Sequence, residues 1–377
     1  MKTHKVAIVI PTHSDIHSSL ANLLKVYRYL IKNKKIEATI FTDKKNKVSY
    51  KDFKIEKIDG IDYKTIIEKI LFVLGIPRFC YKNLIEKLKG YDIIESSNPE
   101  FYGFAYQSYK AAKKYNSKLI YRTSQTVEGF YLFKLTKYFV VPIVRKAYDY
   151  ATSLLFTNPQ ALKRAIRLNL IEKNSKKSIV IGHATDTKTF KPFKVKKEKN
   201  KTILLSVAGL YKIKGHHLII KALKKVINKG NKNVELWIVG NGYYGNYLKK
   251  LTKKLNLQNN VKFLGGKNHD ELAKIYNMSD IFVLANYQEI TPAVNEAMAC
   301  QLPIVAMDCG GHDFVIPNSK YGIISKKFDT SDMANNIMFL MKNKKPTNSM
   351  AKKGRSHILK NFSIEKVANK IYKSFND

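Results

Sequence analysis

Residues 280–311 read DIFVLANYQEITPAVNEAMACQLPIVAMDCGG, and this stretch decides the fold. Two short apolar runs, from Ile281 to Ala285 and from Pro303 to Met307, have the length and branching of buried strands. The segment between them carries a helix start. Thr291 stands at the N-cap, Pro292 at the first helical position where its missing N–H is no loss, and 293–300 continue the helix. A helix between two parallel strands begins beside the carboxyl ends of the sheet, where open α/β sheets bind ligands. The amides of residues 291–294 and the positive end of the helix dipole are then expected to form an anion site, with phosphate its natural occupant.

Outward from this stretch the chain keeps alternating. Strands are expected at 202–207, 234–240 and 261–266, with a helix over 269–277 leading into the quoted segment. The first half reads as strands at 6–11, 37–41, 91–95, 118–121, 149–157 and 178–181, interleaved with helical stretches at 18–32, 63–74 and 104–115. Strand and helix alternating at these lengths mean parallel sheets. A charged run at 194–201 with little apolar content reads as a linker.

The quoted stretch resembles the donor-binding signature of retaining glycosyltransferases of the GT-B fold, family 4, in which two glutamates eight positions apart precede a small-residue run and a strand ending in Gly-Gly. Glu296-Ala297-Met298-Ala299 matches the second glutamate and its followers. Glu289 lies seven positions before Glu296 and Gln288 eight, so either the loop is one residue shorter or Gln288 has the first role. The resemblance implies that Glu296 holds the nucleotide ribose and that Glu289 or Gln288 lies near the donor sugar. It further implies an α/β chain of two doubly wound Rossmann-like domains facing across a cleft. The expected division is 1–190 for the acceptor, 191–201 as linker, 202–355 for the nucleotide sugar, and 356–377 crossing back.

The resemblance also covers the run Ala208-Gly209-Leu210-Tyr211-Lys212-Ile213-Lys214-Gly215, where the family has an arginine at the position of Gly209 and a lysine at that of Lys214, together neutralising the donor diphosphate. That leaves Lys214 and helix amides for the phosphates, with Lys212 reaching round for the lost arginine. Gly240 ends a strand, and backbone around Phe263, Leu264 and Gly265 is expected to border the base. Thr291, Pro292, Ala293 and Val294 complete the donor set. The segment around Asp186, Phe190 and Pro192 is similar to the family's domain-crossing segment. In the first half, the family's glycine-rich loop after the first strand is absent. His13 stands in that loop and reads either as a cleft residue or as a capping or solvent-exposed residue. The loop after Tyr121 holds Arg122 and Ser124 and lacks the histidine that many members place near the sugar. Lys214, Glu289, Arg122 and His13 are the candidates for catalysis.

The chain of 377 residues carries a formal charge of +39, almost all of the excess lysine and spread along its length. Such a field attracts anionic lipid or phosphorylated substrates; without an arginine-rich or aromatic–basic module, nucleic acid is not the expected partner. No signal peptide or membrane span is read, so a cytoplasmic protein is expected, with the inner face of the cell membrane as a second location. Segments 66–88 and 130–146 mix aromatic and aliphatic residues with Lys and Arg, and read equally as membrane-surface segments or as core helices. Three cysteines without metal spacing and no Asp-x-Asp lead to no metal and no cofactor, a UDP- or GDP-linked sugar being the donor substrate. The reaction implied is metal-independent transfer of a sugar to a glycan or lipid-linked acceptor. A soluble transferase making a small glycoside or sugar phosphate, and an inactive transferase-fold protein binding polyanions, remain as alternatives.

Overall fold

Runs of branched aliphatic residues become strands here, and the amphipathic stretches between them become the helices that cover both faces. The computed structural model describes residues 3–10, 18–33, 36–44, 53–61, 80–97, 103–124, 136–198, 200–287 and 291–376. The helical stretch expected at 63–74 lies outside them. The chain divides into two units, one formed by Met1–His183 with Ile364–Asp377 and the other by Ala184–Ser363.

In the first unit the strands are β1 (His4–Val9), β2 (Ile36–Asp43), β3 (Lys54–Ile58), a short antiparallel pair β4 (Gly60–Ile61) and β5 (Cys80–Tyr81), β6 (Ile93–Ser97), β7 (Lys118–Thr123), β8 (Ser153–Phe156) and β9 (Ser178–Val180). Its helices are α1 (Ser18–Lys32), the single turn α2 (Leu84–Lys87), α3 (Gly103–Tyr115), α4 (Thr136–Tyr150) and α5 (Pro159–Arg167). Seven strands pair in the order β3-β2-β1-β6-β7-β8-β9, all parallel. The order reverses between β1 and β6. β3 has no clear apolar alternation, and its pairing with β2 supplies what its sequence lacks. The strand expected at 149–157 is shorter than that, because α4 runs on through Tyr150 and tucks Val144, Ala147 and Tyr148 into the core. The described parts of the two basic–aromatic segments follow the same rule: Leu84 and Leu88 are buried, while Arg145 and Lys146 point outward.

The second unit holds β10 (Thr202–Val207), β11 (Val234–Val239), β12 (Val261–Gly265), β13 (Ile281–Leu284), β14 (Ile304–Met307) and β15 (Ile323–Ser325). They pair in the order β12-β11-β10-β13-β14-β15, again parallel, with the reversal between β10 and β13. The helices are α6 (His216–Asn228), α7 (Gly245–Lys254), α8 (His269–Met278), α9 (Pro292–Ala299), α10 (Thr330–Lys342) and α11 (Lys344–Asn361). Two apolar clusters sandwich the sheet, one containing residues of α8, α9 and α11, the other residues of α6, α7 and α10. The last helix, α12 (Ile364–Asn376), packs on α1 in the first unit, and Lys118 Nζ donates to the Phe375 carbonyl at 3.0 Å.

The division falls at 183/184 and 363/364, so residues 184–201, expected in part as first domain and in part as linker, lie with the second unit. The physical reason is Phe190. Its ring is fully buried among residues of the second sheet's core and meets Tyr276 edge-on with centroids 5.7 Å apart. The turn that delivers it is closed by Asp186, whose carboxylate accepts from the amides of Lys188 and Thr189, both at 3.1 Å, and from the Thr189 hydroxyl at 2.9 Å. Phe190→Ala should therefore destabilise the second unit by about 3–5 kcal/mol. Trp237, the only tryptophan, is buried in that unit, so its fluorescence during urea unfolding reads the loss directly. An unchanged midpoint would move the boundary back to the charged run at 194–201.

Candidate functional site

The order of the second sheet reverses between β10 and β13, and the carboxyl ends of the strands at such a point are where open α/β sheets bind ligands. After β10 the chain passes Ala208 and Gly209 and makes a 3-10 turn, Lys212–Lys214, that ends on Gly215. Gly215 has φ 69°, and a Cβ there would sit 1.9 Å from the Ala285 carbonyl oxygen. Only glycine lets the turn lie so close to the end of β13. The contact is fastened by the Tyr287 amide, which donates to the Ile213 carbonyl at 3.0 Å. Lys214, half-buried, and Lys212, exposed, are thereby carried on a turn bound to the loop that leads toward α9. Gly240 is held similarly: at φ 143° its Cβ would come 2.0 Å from the Ala208 carbonyl oxygen.

The start of α9 follows the expected backbone and corrects the expected chemistry. Thr291 is at the N-cap with extended angles, and Pro292 follows, but the Thr291 hydroxyl makes no capping bond and, though 9% exposed, has no hydrogen-bond partner. Of the four residues 291–294, Pro292 has no N–H, and the Val294 amide donates to the Thr291 carbonyl at 3.1 Å. An anion at this terminus meets the amides of Thr291 and Ala293 and the Thr291 hydroxyl, rather than four amides.

Glu296, one turn further, is 2% exposed. Its Oε2 accepts from the Tyr276 hydroxyl at 3.0 Å, and that hydroxyl also lies 3.3 Å from the Ala293 carbonyl. Burial, with the Glu296 charge beside it, holds the Tyr276 hydroxyl pKa far above its usual value, so it stays a donor. Burial and the same carboxylate push the Cys300 thiol up as well, which makes that cysteine an inert neighbour.

Toward the other side of the sheet, the Gly240 amide donates to Gly265 O at 2.9 Å and the Gly266 amide to Asn241 Oδ1 at 3.1 Å, so the ends of β11 and β12 are bound together. Of the residues expected near the base, Leu264 packs against the cluster that holds α9, and Phe263 against the opposite cluster. The two side chains lie on opposite faces, and only Leu264 shares a face with Glu296. Gly209, where the resemblance places an arginine, is closed off by Tyr211, whose ring would stand 2.6 Å from a Cβ.

The sequence gives no role to Tyr276, which reads as part of a helix, nor to Tyr287 and the pair His216–His217. His216 is buried between Ser206 Oγ, 3.2 Å from Nδ1, and Ala208 O, 3.3 Å from Nε2. A carbonyl can only accept, so Nε2 carries the proton and Nδ1 accepts from the serine. The ring ties the loop after β10 to α6. His217 Nε2 lies 2.8 Å from the Tyr287 hydroxyl, a second tie between the same turn and the loop before α9.

Arg122 belongs to the first unit, where it sits within β7 rather than in the loop after it, and its Nε donates to Glu95 Oε1 at 2.9 Å. Ser124 follows the strand. His13, Gln288 and Glu289 lie outside the described residues. A cleft of about 270 Å³ lined by Phe193, Lys197, Asp280, Gln301 and Asn348 lies at the amino ends of the second sheet, and no donor candidate lines it, although Tyr276, the partner of Glu296, does.

The buried His216 makes the candidate site acid-sensitive. Its pKa is lowered to about 4 from the ordinary 6.5, chiefly by burial. Below pH 6.5 the unfolded chain takes up a proton that the folded chain refuses, so stability is full above that pH and falls as pH drops toward 4. The loss is roughly 3 kcal/mol by proton linkage. Urea midpoints read by Trp237 fluorescence between pH 7 and 4 should fall in the wild type and flatten in His216→Gln; equal slopes would remove His216 as the cause.

Residues 187–357, within the second unit, match the family model described as glycosyl transferases group 1. Spore coat protein SA of Bacillus subtilis is 31% identical over 177 residues, covering 45% of this chain and 47% of the relative. N-acetyl-alpha-D-glucosaminyl L-malate synthase of Bacillus anthracis is 27% identical over 170 residues, covering 45% and 44%. The chain thus spans about half the length of these curated relatives. Over its whole length it superposes on a glycosyltransferase from Rickettsia africae with a TM-score of 0.78 at 18% identity, covering all of both chains. For Anabaena HepE in complex with UDP and glucose the TM-score is 0.76 at 14% identity, with 99% of each chain covered. Two parallel, doubly wound sheets, the order reversal at β10 and β13, and these matches point one way: residues 187–357 match the glycosyl transferases group 1, on a GT-B fold that extends over the whole chain.

Proposed function

We propose that this protein transfers a sugar from a nucleoside diphosphate sugar, UDP- or GDP-linked, to a hydroxyl of a glycan or lipid-linked acceptor. The observation that carries the reading is the convergence of the Lys214 turn and the α9 N-terminus at the sheet's reversal point, with Glu296 buried one turn behind. A diphosphate leaving group gains charge as the glycosidic bond breaks. Lys214, the Thr291 and Ala293 amides and the α9 dipole are fixed groups that stabilise that charge as it develops. In this reading they carry it without a metal, and no further cofactor takes part. Retention of configuration follows the family resemblance, the departing phosphate assisting deprotonation of the acceptor.

Glu296→Ala should weaken donor binding by roughly 1.5–3 kcal/mol, the value of a hydrogen bond to a charged group. The stabilisation by UDP- or GDP-sugars, measured as a shift in melting temperature, should then shrink or vanish. A folded variant that keeps the wild-type shift would remove the ribose role. Lys214→Ala should lower kcat more than it weakens binding, because its charge matters most once the leaving group forms. Equal losses in both would leave Lys214 as a ground-state anchor.

A second element of the reading places the protein in the cytoplasm, at the inner face of an anionic membrane. It is supported by the charge of +39 and by α4, where Ile143 is 40% exposed and followed by the core-facing Val144 and the outward Arg145 and Lys146. Among the described residues no helix is long and apolar enough to cross a membrane. Phosphatidylglycerol vesicles should pull the protein down at low salt and release it as salt rises, since screening shortens the reach of its charges to about 8 Å at physiological ionic strength. Equal recovery in the supernatant with anionic and neutral vesicles would end this reading.

A further inference from the structure

The first unit has its own reversal point, and the groups gathered there are chemically unlike the donor site. Alternation along the strands sorts the side chains: Ala7, Val9, Ile94, Leu119 and Tyr121 belong to the core under α3, α4 and α5. Glu95, Ser97 and Arg122 therefore point to the opposite face, the one covered by α1 and α12. Ser97 pairs in register with Arg122, at the carboxyl ends of β6 and β7. Asn22, in the second turn of the helix that follows β1, starts from the same end and is 2% exposed.

These groups are under-satisfied. Glu95 Oε2, Ser97 Oγ and both polar atoms of Asn22 are buried without a hydrogen-bond partner. Leaving such an atom unpaired is costly, and native folds rarely tolerate several together. Glu95 is 1% exposed, and burial raises its carboxyl pKa against the pull of Arg122. Arg122 commits Nε to Glu95 Oε1, and its side chain, 16% exposed, is where the cluster reaches solvent. What remains is a fork: guanidinium amino groups that can only donate, beside a carboxylate oxygen that can only accept.

We infer that this cluster binds a vicinal diol of the acceptor, so that the acceptor is itself a sugar and Glu95 and Arg122 select it. One hydroxyl donates to Glu95 Oε2 and its neighbour accepts from the Arg122 guanidinium, while Ser97 and Asn22 take the remaining lone pairs and protons. A phosphate or carboxylate is a poorer occupant, because the arginine charge is already matched by Glu95 and the open carboxylate oxygen repels an anion. This inference rests on the transferase reading above, yet its test does not need the donor.

The full chain is titrated, without nucleotide sugar, with methyl α-glycosides of gluco, galacto and manno configuration and separately with inorganic phosphate, binding being followed by saturation-transfer NMR. At least one glycoside should bind, and Glu95→Gln and Arg122→Lys should each weaken it about tenfold or more, as loss of a charged hydrogen bond does. Ser97→Ala removes a hydroxyl that no protein group uses, so that variant folds whatever the fate of the other two, and it should weaken the same glycoside severalfold. The melting shift given by UDP- or GDP-sugars should be unchanged in all three. Failure of every glycoside to bind, affinities untouched by the variants, or binding of phosphate in place of the glycosides would overturn the inference; loss of the nucleotide-sugar shift in the wild type would instead strike the donor reading alone.

Discussion

A carboxylate enclosed in protein has to be met by a donor, and the second unit is arranged about that requirement at Glu296. The donor is Tyr276, which reaches α9 from α8. Tyr276 in turn is fixed by the edge of Phe190, and Phe190 is presented by the turn that Asp186 closes. A ring contact and a hydrogen bond thus link three segments spread between Asp186 and Glu296 and set the position of α9 relative to the sheet. Since the helix start and the carboxylate lie on the same eight residues, the demand for a buried pair also orients the start of the helix.

The opposite wall of the site obeys a steric constraint instead. Gly215 and Gly240 stand where backbone oxygens approach within what a Cβ would occupy, so the loops after β10 and β11 are pressed against the strand ends. His216 and His217 then add side-chain ties from α6 to both neighbouring loops. A lysine on a flexible loop would lose side-chain and backbone entropy on meeting a diphosphate. On this turn much of the backbone part is already spent by folding.

The two units repeat one architecture with opposite electrostatics. At its reversal point the second offers amides, a hydroxyl and lysines, which suit an anion. The first offers a matched Arg–Glu pair and hydroxyl and amide groups, which suit neutral oxygens. Fold-level likeness would not separate the two, because parallel doubly wound sheets put their ligands in the same place whatever the chemistry. The side chains at the strand ends make the distinction.

Residue type and spacing alone determined the strand–helix alternation, the parallel sheets and the Thr291-Pro292 helix start, because each is a local pattern of apolar period, capping or turn chemistry; the roles of Lys214-Gly215 and Glu296 came from the family resemblance instead. Tertiary structure decided the rest. The short strand β3 exists by pairing with β2 rather than by its own alternation, and 149–150 stayed helical because α4 had a core to fill. Phe190 drew residues 184–201 into the second unit, although their charge reads as linker. The Val294 amide was taken by Thr291, and the partners of Glu296 and Glu95, Tyr276 and Arg122, came from other elements 20 and 27 residues away. Pairings of that kind depend on how side chains meet after the chain has closed on itself, and no period along the sequence records them.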